Sequence, residues 1–562
     1  MINQIILDKN IGTQMRDGTT LRSDIYRPAN EGTYPVLLTR LPYGKDAPFY
    51  SHRYLDTNRL VENGFIVIIQ DVRGRFNSDG EFFPFRDEAK DGYDTVEWAA
   101  HLPYSNGNVG MFGLSYYGFT QLLAAREQPP HLKAIFPSMT LNDLKNNMLF
   151  HEGVPTSASF KTWVLQSMVP DLLVKKYTNA QVLEEKMNLW AKALDNLPAT
   201  YNEQLNDSWP LLNELGVAEE FFEVYQLAED DDFWKQTSIL DDYEKLHYPA
   251  IHLGGWYDSL LKSTIENFNS MTKHTKSMQR LIIGPWTHGD FGSLAGERDF
   301  GIKASESFLN GKEDLTHLHI RWFNYWLKNH DTFTENDAPV QLFIMGKNEW
   351  RNEQEWPLAR TTYTPYYFAE GGQLKSESPT TGTTETYLHD PRNPVSTLGG
   401  QTLYHDVNTS GPWDQQKLEH RSDILIYETA NLTSDIEVTG PIKVKLWAAS
   451  EATCADFTAK LVDVCPDGTA YNLTDGIARV KMTDDQVALN NQNQPIACFE
   501  MDLWATSNLF LTNHKIRVEI ASSNHPRFDV NWDGINEKHK QIKQTIFHGE
   551  TYPSQIVLPI IK

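Results

Sequence analysis

The stretch GNVGMFGLSYYGFTQLLAA, from Gly107 to Ala125, sets an apolar strand pattern directly against a helical one, with Ser115 at the corner. A strand that turns into a helix without a linker is the joint of an α/β layer, in which helices cover a buried parallel sheet. The neighbouring sequence keeps the same rhythm. YPVLLTR and GFIVIIQDVRG read as fully apolar strands, and KDGYDTVEWAAHL has helical spacing before the chain returns to a strand ahead of Ser115. The corner almost spells G-x-S-x-G, the turn that exposes a nucleophile above such a sheet. Gly113 holds the first glycine place, but Tyr117 holds the second and Gly118 arrives one residue late. Spacing leaves two readings open: a modified elbow, or a serine that caps a helix.

A chain of 562 residues is too long for one core, and its texture changes three times. Residues 1–140 carry the first α/β part. Residues 141–245 are rich in Leu, Trp, Glu and Lys and poor in strand patterns, which predicts a helical insertion. Within it Leu183, Met187, Trp190, Leu194 and Leu197 share one helix face, Thr178 and Gln181 fit a capping box, and Pro198 predicts the stop. The α/β texture resumes over residues 246–350 with YPAIHLGGWYD, SMQRLIIGPWTHG and the helical THLHIRWFNYWLKNH. Residues 351–562 alternate short strands and turn-rich segments, which predicts a β-sandwich of the jelly-roll kind.

Charge and cysteines narrow the function classes. Fifty Lys and Arg against 74 Asp and Glu leave a net charge of −24, which repels phosphate backbones and anionic lipid. No nucleic-acid or membrane partner is expected. Three cysteines without C-x-x-C spacing predict neither a disulfide framework nor a structural zinc site, and no metal or cofactor is expected. The amino-terminal segment lacks a leader's basic start and long apolar run, so the expected compartment is the cytoplasm. The sequence leaves a homo-oligomer open.

In an open α/β sheet, reactive groups gather in the loops at the carboxyl ends of the strands. Ser115 follows VGMFGL, Asp258 follows AIHLGGWY, and His288 follows RLIIGPWT. A serine hydroxyl needs a base to take its proton, and the base needs a carboxylate to hold its tautomer. The order Ser, Asp, His is that of α/β-hydrolases. Taken singly, Asp258 reads equally well as a helix cap, and His288 is one of 18 histidines. Taken together, each after its own strand, the three favour catalysis by an α/β-hydrolase domain interrupted by the helical insertion.

GLSYYGFTQ resembles the G-x-S-Y-x-G elbow of the cocaine esterase-like (CocE/NonD) hydrolases, a branch that includes X-prolyl dipeptidyl-peptidases, α-amino acid ester hydrolases and glutaryl-7-aminocephalosporanic acid acylases. LTRLPYGK, IVIIQDVRGRFNSDGEF, GGWYDSLL, GPWTHG and, late in the chain, DFTAKLVDVCPDGTAYNLTDGIARV and HKIRVEIASSNHPRFDVN extend the resemblance over nearly the whole chain. It implies Ser115 as nucleophile, His288 as general base and acid, and Asp258 as the orienting carboxylate. It also implies an oxyanion hole made by the Tyr116 backbone N–H and the Tyr43 phenol, and a helical cap over the site formed by residues 141–245.

The resemblance implies a carboxylic ester or amide hydrolase, with a small ester, amide or short peptide as partner. An X-prolyl dipeptidyl-peptidase is the alternative, and a non-catalytic binder using the jelly roll a more distant one. Phe150, Trp163, Trp256 and Leu261 are the candidate pocket walls. Ser259, Leu260 and Leu261 after Asp258 carry no charge, which disfavours a substrate with a free α-amine, although Glu297 and Asp299 remain candidates to read one. Asp71, Arg73 and Arg75 in QDVRGRF read as a salt-bridge network bracing the site. DVNWDGINEKHK matches the first half of a calcium loop but has Lys540 where a bidentate Glu is required, so it reads as a polar turn.

Overall fold

Seven parallel strands run through the middle of a ten-stranded sheet, and their apolar residues face helices on both sides. The computed structural model describes residues 4–52, 55–203, 209–229, 231–309, 311–333, 337–403, 410–482, 488–489, 495–532 and 541–562. In chain order the sheet contains β1 (Ile5–Gln14), β2 (Thr20–Pro28), β3 (Tyr34–Leu41), β4 (Ile66–Asp71), β5 (Ser105–Leu114), β6 (Leu132–Ser138), β7 (Ala250–Tyr257), β8 (Gln279–Thr287), β9 (Val340–Ile344) and β10 (Glu349–Glu353). Their spatial order is β1-β2-β4-β3-β5-β6-β7-β8-β9-β10. The pairs from β4 to β9 are parallel; β1, β2 and β10 are antiparallel additions at the edges. β4 is buried at every position, as its unbroken IVIIQD run requires of a strand covered on both faces.

The late glycine is explained at the end of β5. Ser115 sits at φ 59°, ψ −121°, and the helix Tyr116–Arg126 begins at the next residue. Its first turn passes so close to the chain leaving β6 that a Cβ on Gly118 would lie 2.6 Å from the Thr140 Cβ and 3.0 Å from the Ser138 carbonyl oxygen. A Cβ on Gly113 would lie 2.3 Å from the Tyr117 carbonyl oxygen. The two glycines therefore mark the two close approaches of the turn, and Tyr117 occupies the place between them. Its ring centroid stands 6.1 Å from that of Tyr43, edge-on.

Between β6 and β7 the chain leaves the sheet and builds a cap of short helices, including Ser157–Trp163, Val169–Lys176 and Ala180–Leu194. The last of these is capped by Asn179 rather than Thr178, its side chain accepting from the N–H groups of Gln181 and Val182. Asn179 stands one residue nearer the first turn, where its carboxamide oxygen reaches those donors. Pro198 does not end that helix either. It occupies the first turn of the next one, Leu197–Tyr201. The cap is tied to the sheet by Arg75, whose fully buried guanidinium donates to the carbonyls of Pro42 (2.8 Å), Ser167 (2.9 Å) and Met168 (3.0 Å).

The strands after β10 form a second, mostly antiparallel hydrogen-bonded sheet that folds back on itself as a C-terminal β-rich unit. Phe457 on Cys454–Val464 meets Phe499 on Pro495–Phe510 edge-on, ring centroids 4.6 Å apart, although these strands are not sheet neighbours. The unit is latched to the cap by Asp529, whose half-buried side chain accepts from both the N–H and the hydroxyl of Ser157. Residues 533–540 of the calcium-loop look-alike lie outside the described residues. Among the described residues no helix is long and apolar enough to cross a membrane.

Gly118→Ala is expected to lower the free energy of unfolding by about 1–3 kcal/mol, the usual cost of forcing volume into a packed contact. Urea unfolding midpoints of the two proteins check this, and an unchanged midpoint would mean that the elbow yields freely.

Candidate active site

Ser115, Asp258 and His288 come from three loops and meet above the carboxyl edge of the sheet. β5 delivers the serine, β7 the aspartate and β8 the histidine, and β7 and β8 are neighbours. Asp258 is fully buried, and its Oδ1 accepts from His288 Nδ1 at 2.7 Å and from the Leu260 N–H at 3.1 Å. A carboxylate can only accept, so Nδ1 carries the imidazole proton and Nε2 presents a lone pair. Nε2 lies 2.9 Å from Ser115 Oγ, within reach of the hydroxyl proton. His252 and His319, by contrast, are core residues: burial pushes them down to about 4 and about 3.

Tyr43 stands beside the serine in the loop after β3. Burial pushes its phenol well above the usual range, so it stays protonated and can act only as a neutral donor or acceptor. The Trp163 indole N–H donates to the Tyr43 oxygen at 3.0 Å, which leaves the phenolic hydrogen to point elsewhere. The loop is held from below as well. Asp71, at the end of β4, accepts from the Lys45 N–H at 2.7 Å, and burial pushes its carboxyl up to about 6. Arg73 binds Asp91 and Asp17, and Arg75 holds the Pro42 carbonyl, so QDVRGRF braces the site and touches no reacting atom. Tyr116 opens the elbow helix, where a backbone N–H has no carbonyl partner within the helix. Its phenol turns away and donates to Glu88 at 2.8 Å.

A cavity of about 60 Å³ opens beside Ser115. Phe85, Leu141, Met148, Phe150 and Trp163 line it, with Ser259 and Leu260 from the loop after β7. Phe150 and Trp163 are thus at the pocket, whereas Trp256 and Leu261 are not. Trp256 is fully buried below, its indole N–H donating to the Phe343 carbonyl at 2.7 Å, and Leu261 packs with it in the second core. Asp258 turns its side chain up to His288, and the tight turn after it presents Ser259 and Leu260 to the cavity instead. Gln401, Leu403, Trp504, Arg527 and Phe528 close the far side, so the β-rich unit supplies part of the wall. Their distance in sequence from the strand-end motifs hid them; no periodicity marks a residue that reaches the site from another domain.

Residues 17–290 match the family described as X-Pro dipeptidyl-peptidase (S15 family), and residues 332–557 match its C-terminal non-catalytic domain. The chain is 36% identical to the cocaine esterase of Rhodococcus sp. (strain MB1 Bresler), over 98% of each chain. The chain belongs to the cocaine esterase family. Members are serine hydrolases acting on ester or amide bonds, and this chain is a serine hydrolase of that class. Its fold is also that of an α-amino acid ester hydrolase, with a TM-score of 0.76 at 23% identity over 99% of this chain and 97% of the other. An aminopeptidase from a marine-sediment Thaumarchaeota archaeon superposes equally well, with a TM-score of 0.76 at 21% identity over 100% and 96%.

Trp163→Phe keeps the ring but removes the indole donor to Tyr43. It is expected to lower kcat about tenfold, the value of one lost hydrogen bond. In a Tyr43→Phe background the same change should cost little, and a kinetic double-mutant cycle with p-nitrophenyl butyrate checks that coupling.

Proposed function

We propose that this serine hydrolase cleaves carboxylic esters of short, uncharged acyl groups through an acyl-enzyme on Ser115. The observation that carries the reading is the unbroken contact chain from Asp258 Oδ1 through His288 to Ser115 Oγ. His288 takes the hydroxyl proton as the oxygen attacks the ester carbonyl. The negative charge then developing on the carbonyl oxygen meets the Tyr43 hydroxyl and the Tyr116 N–H, donors already aimed before the reaction begins. As the tetrahedral intermediate collapses, His288 returns the proton to the departing alkoxide. Water attacks the acyl-enzyme with the same imidazole as base, releasing the acid and restoring Ser115.

The pocket supports the substrate class. A cavity of about 60 Å³ is small, which favours a short acyl chain over a long one. Its walls are mainly apolar, and among the described residues that line it none is a carboxylate. An N-terminal ammonium, which an X-prolyl dipeptidyl-peptidase must hold, has no counter-charge there. Glu297 is taken up by Lys417 (2.9 Å) and the Asp414 N–H (2.8 Å), and Asp299 is an exposed residue accepting from the Gly301 N–H (2.9 Å). Neither lines the pocket.

A fluorophosphonate is expected to add once to the wild-type protein and not to Ser115→Ala, read by intact mass. Ser115→Ala should lower turnover by on the order of 10⁶, and Tyr43→Phe by roughly 10²–10³. Among substrates, p-nitrophenyl butyrate should be cleaved far faster than p-nitrophenyl decanoate or an Xaa-Pro-p-nitroanilide. Preferred cleavage of the nitroanilide would replace this reading with the dipeptidyl-peptidase one.

A further inference from the structure

At the opposite edge of the sheet from Ser115, three donor side chains converge that the hydrolytic machinery does not use. Glu97 and His101 stand four residues apart at the end of the helix Glu88–Ala100, so they share a face. His131 lies in the loop just before β6, where its carbonyl accepts from the Val109 N–H at 3.0 Å. One ligand atom from each of the three lies within 4.8 Å of the others. The two imidazole rings approach edge-on with centroids 5.0 Å apart. We propose that Glu97, His101 and His131 form a binding site for a borderline divalent transition-metal ion of the Zn²⁺ type.

The hydrogen bonds already prepare these groups for that role. His101 Nδ1 lies 2.7 Å from the Glu97 carbonyl oxygen, which can only accept, so Nδ1 carries the proton and Nε2 holds the lone pair. A ligating histidine whose other ring nitrogen donates to a backbone carbonyl is the usual outer-shell arrangement of metal sites. His131 Nδ1 lies 2.7 Å from Glu97 Oε2, and the Glu97 Oε1 accepts from the His131 N–H at 3.2 Å, so the carboxylate is held in place. An ion entering the cluster replaces the proton between Nδ1 and Oε2, which leaves to solvent. Tetrahedral zinc with ligands near 2.0 Å needs them about 3.3 Å apart, so that pair opens by roughly half an ångström and His101 swings in. His101 is exposed and free to make that movement.

The donor set chooses the metal. Two imidazoles and one carboxylate suit Zn²⁺, Ni²⁺ or Cu²⁺, and they suit Ca²⁺ and Mg²⁺ poorly, since these prefer all-oxygen sites. Three protein ligands leave a fourth position to solvent. The helix adds a further attraction, because its C-terminal carbonyls present partial negative charge to a cation placed there. A bound ion would clip the end of Glu88–Ala100 to the loop entering β6. It would tighten the fold without entering the reaction.

The expected sequence signal is slight: an E-x-x-x-H pair inside a helix, and a lone histidine 30 residues later after a Pro-Pro pair. Only the packing of the helix against β5 and the elbow helix brings the two pieces together.

The test is titration of the metal-stripped full-length protein with ZnCl₂ by calorimetry. One ion per chain is expected, with a rise in Tm on binding. His101→Ala and His131→Asn should each weaken binding on the order of 100-fold, since a ligand is worth at least as much as an outer-shell partner. With Co²⁺ as probe, visible d–d bands should appear in the wild type and be absent from both variants. Hydrolysis of p-nitrophenyl butyrate by the variants in the absence of metal should match the wild type, which also shows that they fold. Failure of Zn²⁺ to bind, or equal binding by a variant carrying both His101→Ala and His131→Asn, would overturn the proposal.

Discussion

A single residue held in a costly backbone conformation organises the candidate active site. Ser115 at φ 59° carries strain of about 1–3 kcal/mol for a residue with a Cβ, and the surrounding structure over-determines it. The Ser115 N–H donates to the Ser138 carbonyl at 2.9 Å, and the Ser115 carbonyl accepts from the Thr140 hydroxyl at 2.7 Å. These bonds lock the turn against the chain leaving β6, and glycines at 113 and 118 let it come that close. The result is a hydroxyl that projects above the edge of the sheet instead of lying along it. His288 and Asp258 reach it only because β7 and β8 end at the same level.

Tyr43 is the second point on which the units converge. Its loop is pinned from the sheet by Arg75 and by the bond between Asp71 and the Lys45 N–H, and from the cap by Trp163. Burial keeps the phenol protonated, so in the proposed mechanism it can serve as a donor that needs no reorganisation when charge appears on a substrate oxygen. The Arg75 guanidinium binds carbonyls of both the Tyr43 loop and the cap, so cap position and donor position are mechanically linked. The β-rich unit completes the arrangement by supplying Trp504, Arg527 and Phe528 to the pocket and Asp529 to the cap. Arg527 is itself held by Asp475 and Gln401, which keeps its charge compensated beside an apolar cavity.

Much of this was legible in the chain because the signals are local. Apolar runs such as IVIIQD can be buried only in a covered parallel sheet, and a Ser, an Asp and a His each placed just after such a run must emerge at one edge. The misplacements have a common cause. Trp256 and Leu261 flank Asp258 in sequence, yet the strand's alternation and the turn after it send both into the core and bring Ser259 and Leu260 to the cavity. Thr178 and Asn179 are both good caps, and which of them bonds the first turn depends on where the helix starts. Trp163 was legible as a wall but not as the donor that aims Tyr43, because that contact joins residues 120 positions apart.

What the sequence determined by itself was the order of layers and the chemistry available at the strand ends, since both follow from burial periodicity and residue type along a short window. What only the tertiary structure decided was where side chains point and which distant pieces meet. The second glycine's place, the tryptophan behind Tyr43, the residues of the β-rich unit in the pocket and the Glu97, His101 and His131 cluster all depend on close approaches between separate elements. Such contacts are set by the packing of whole helices and sheets, and no window of sequence contains both partners.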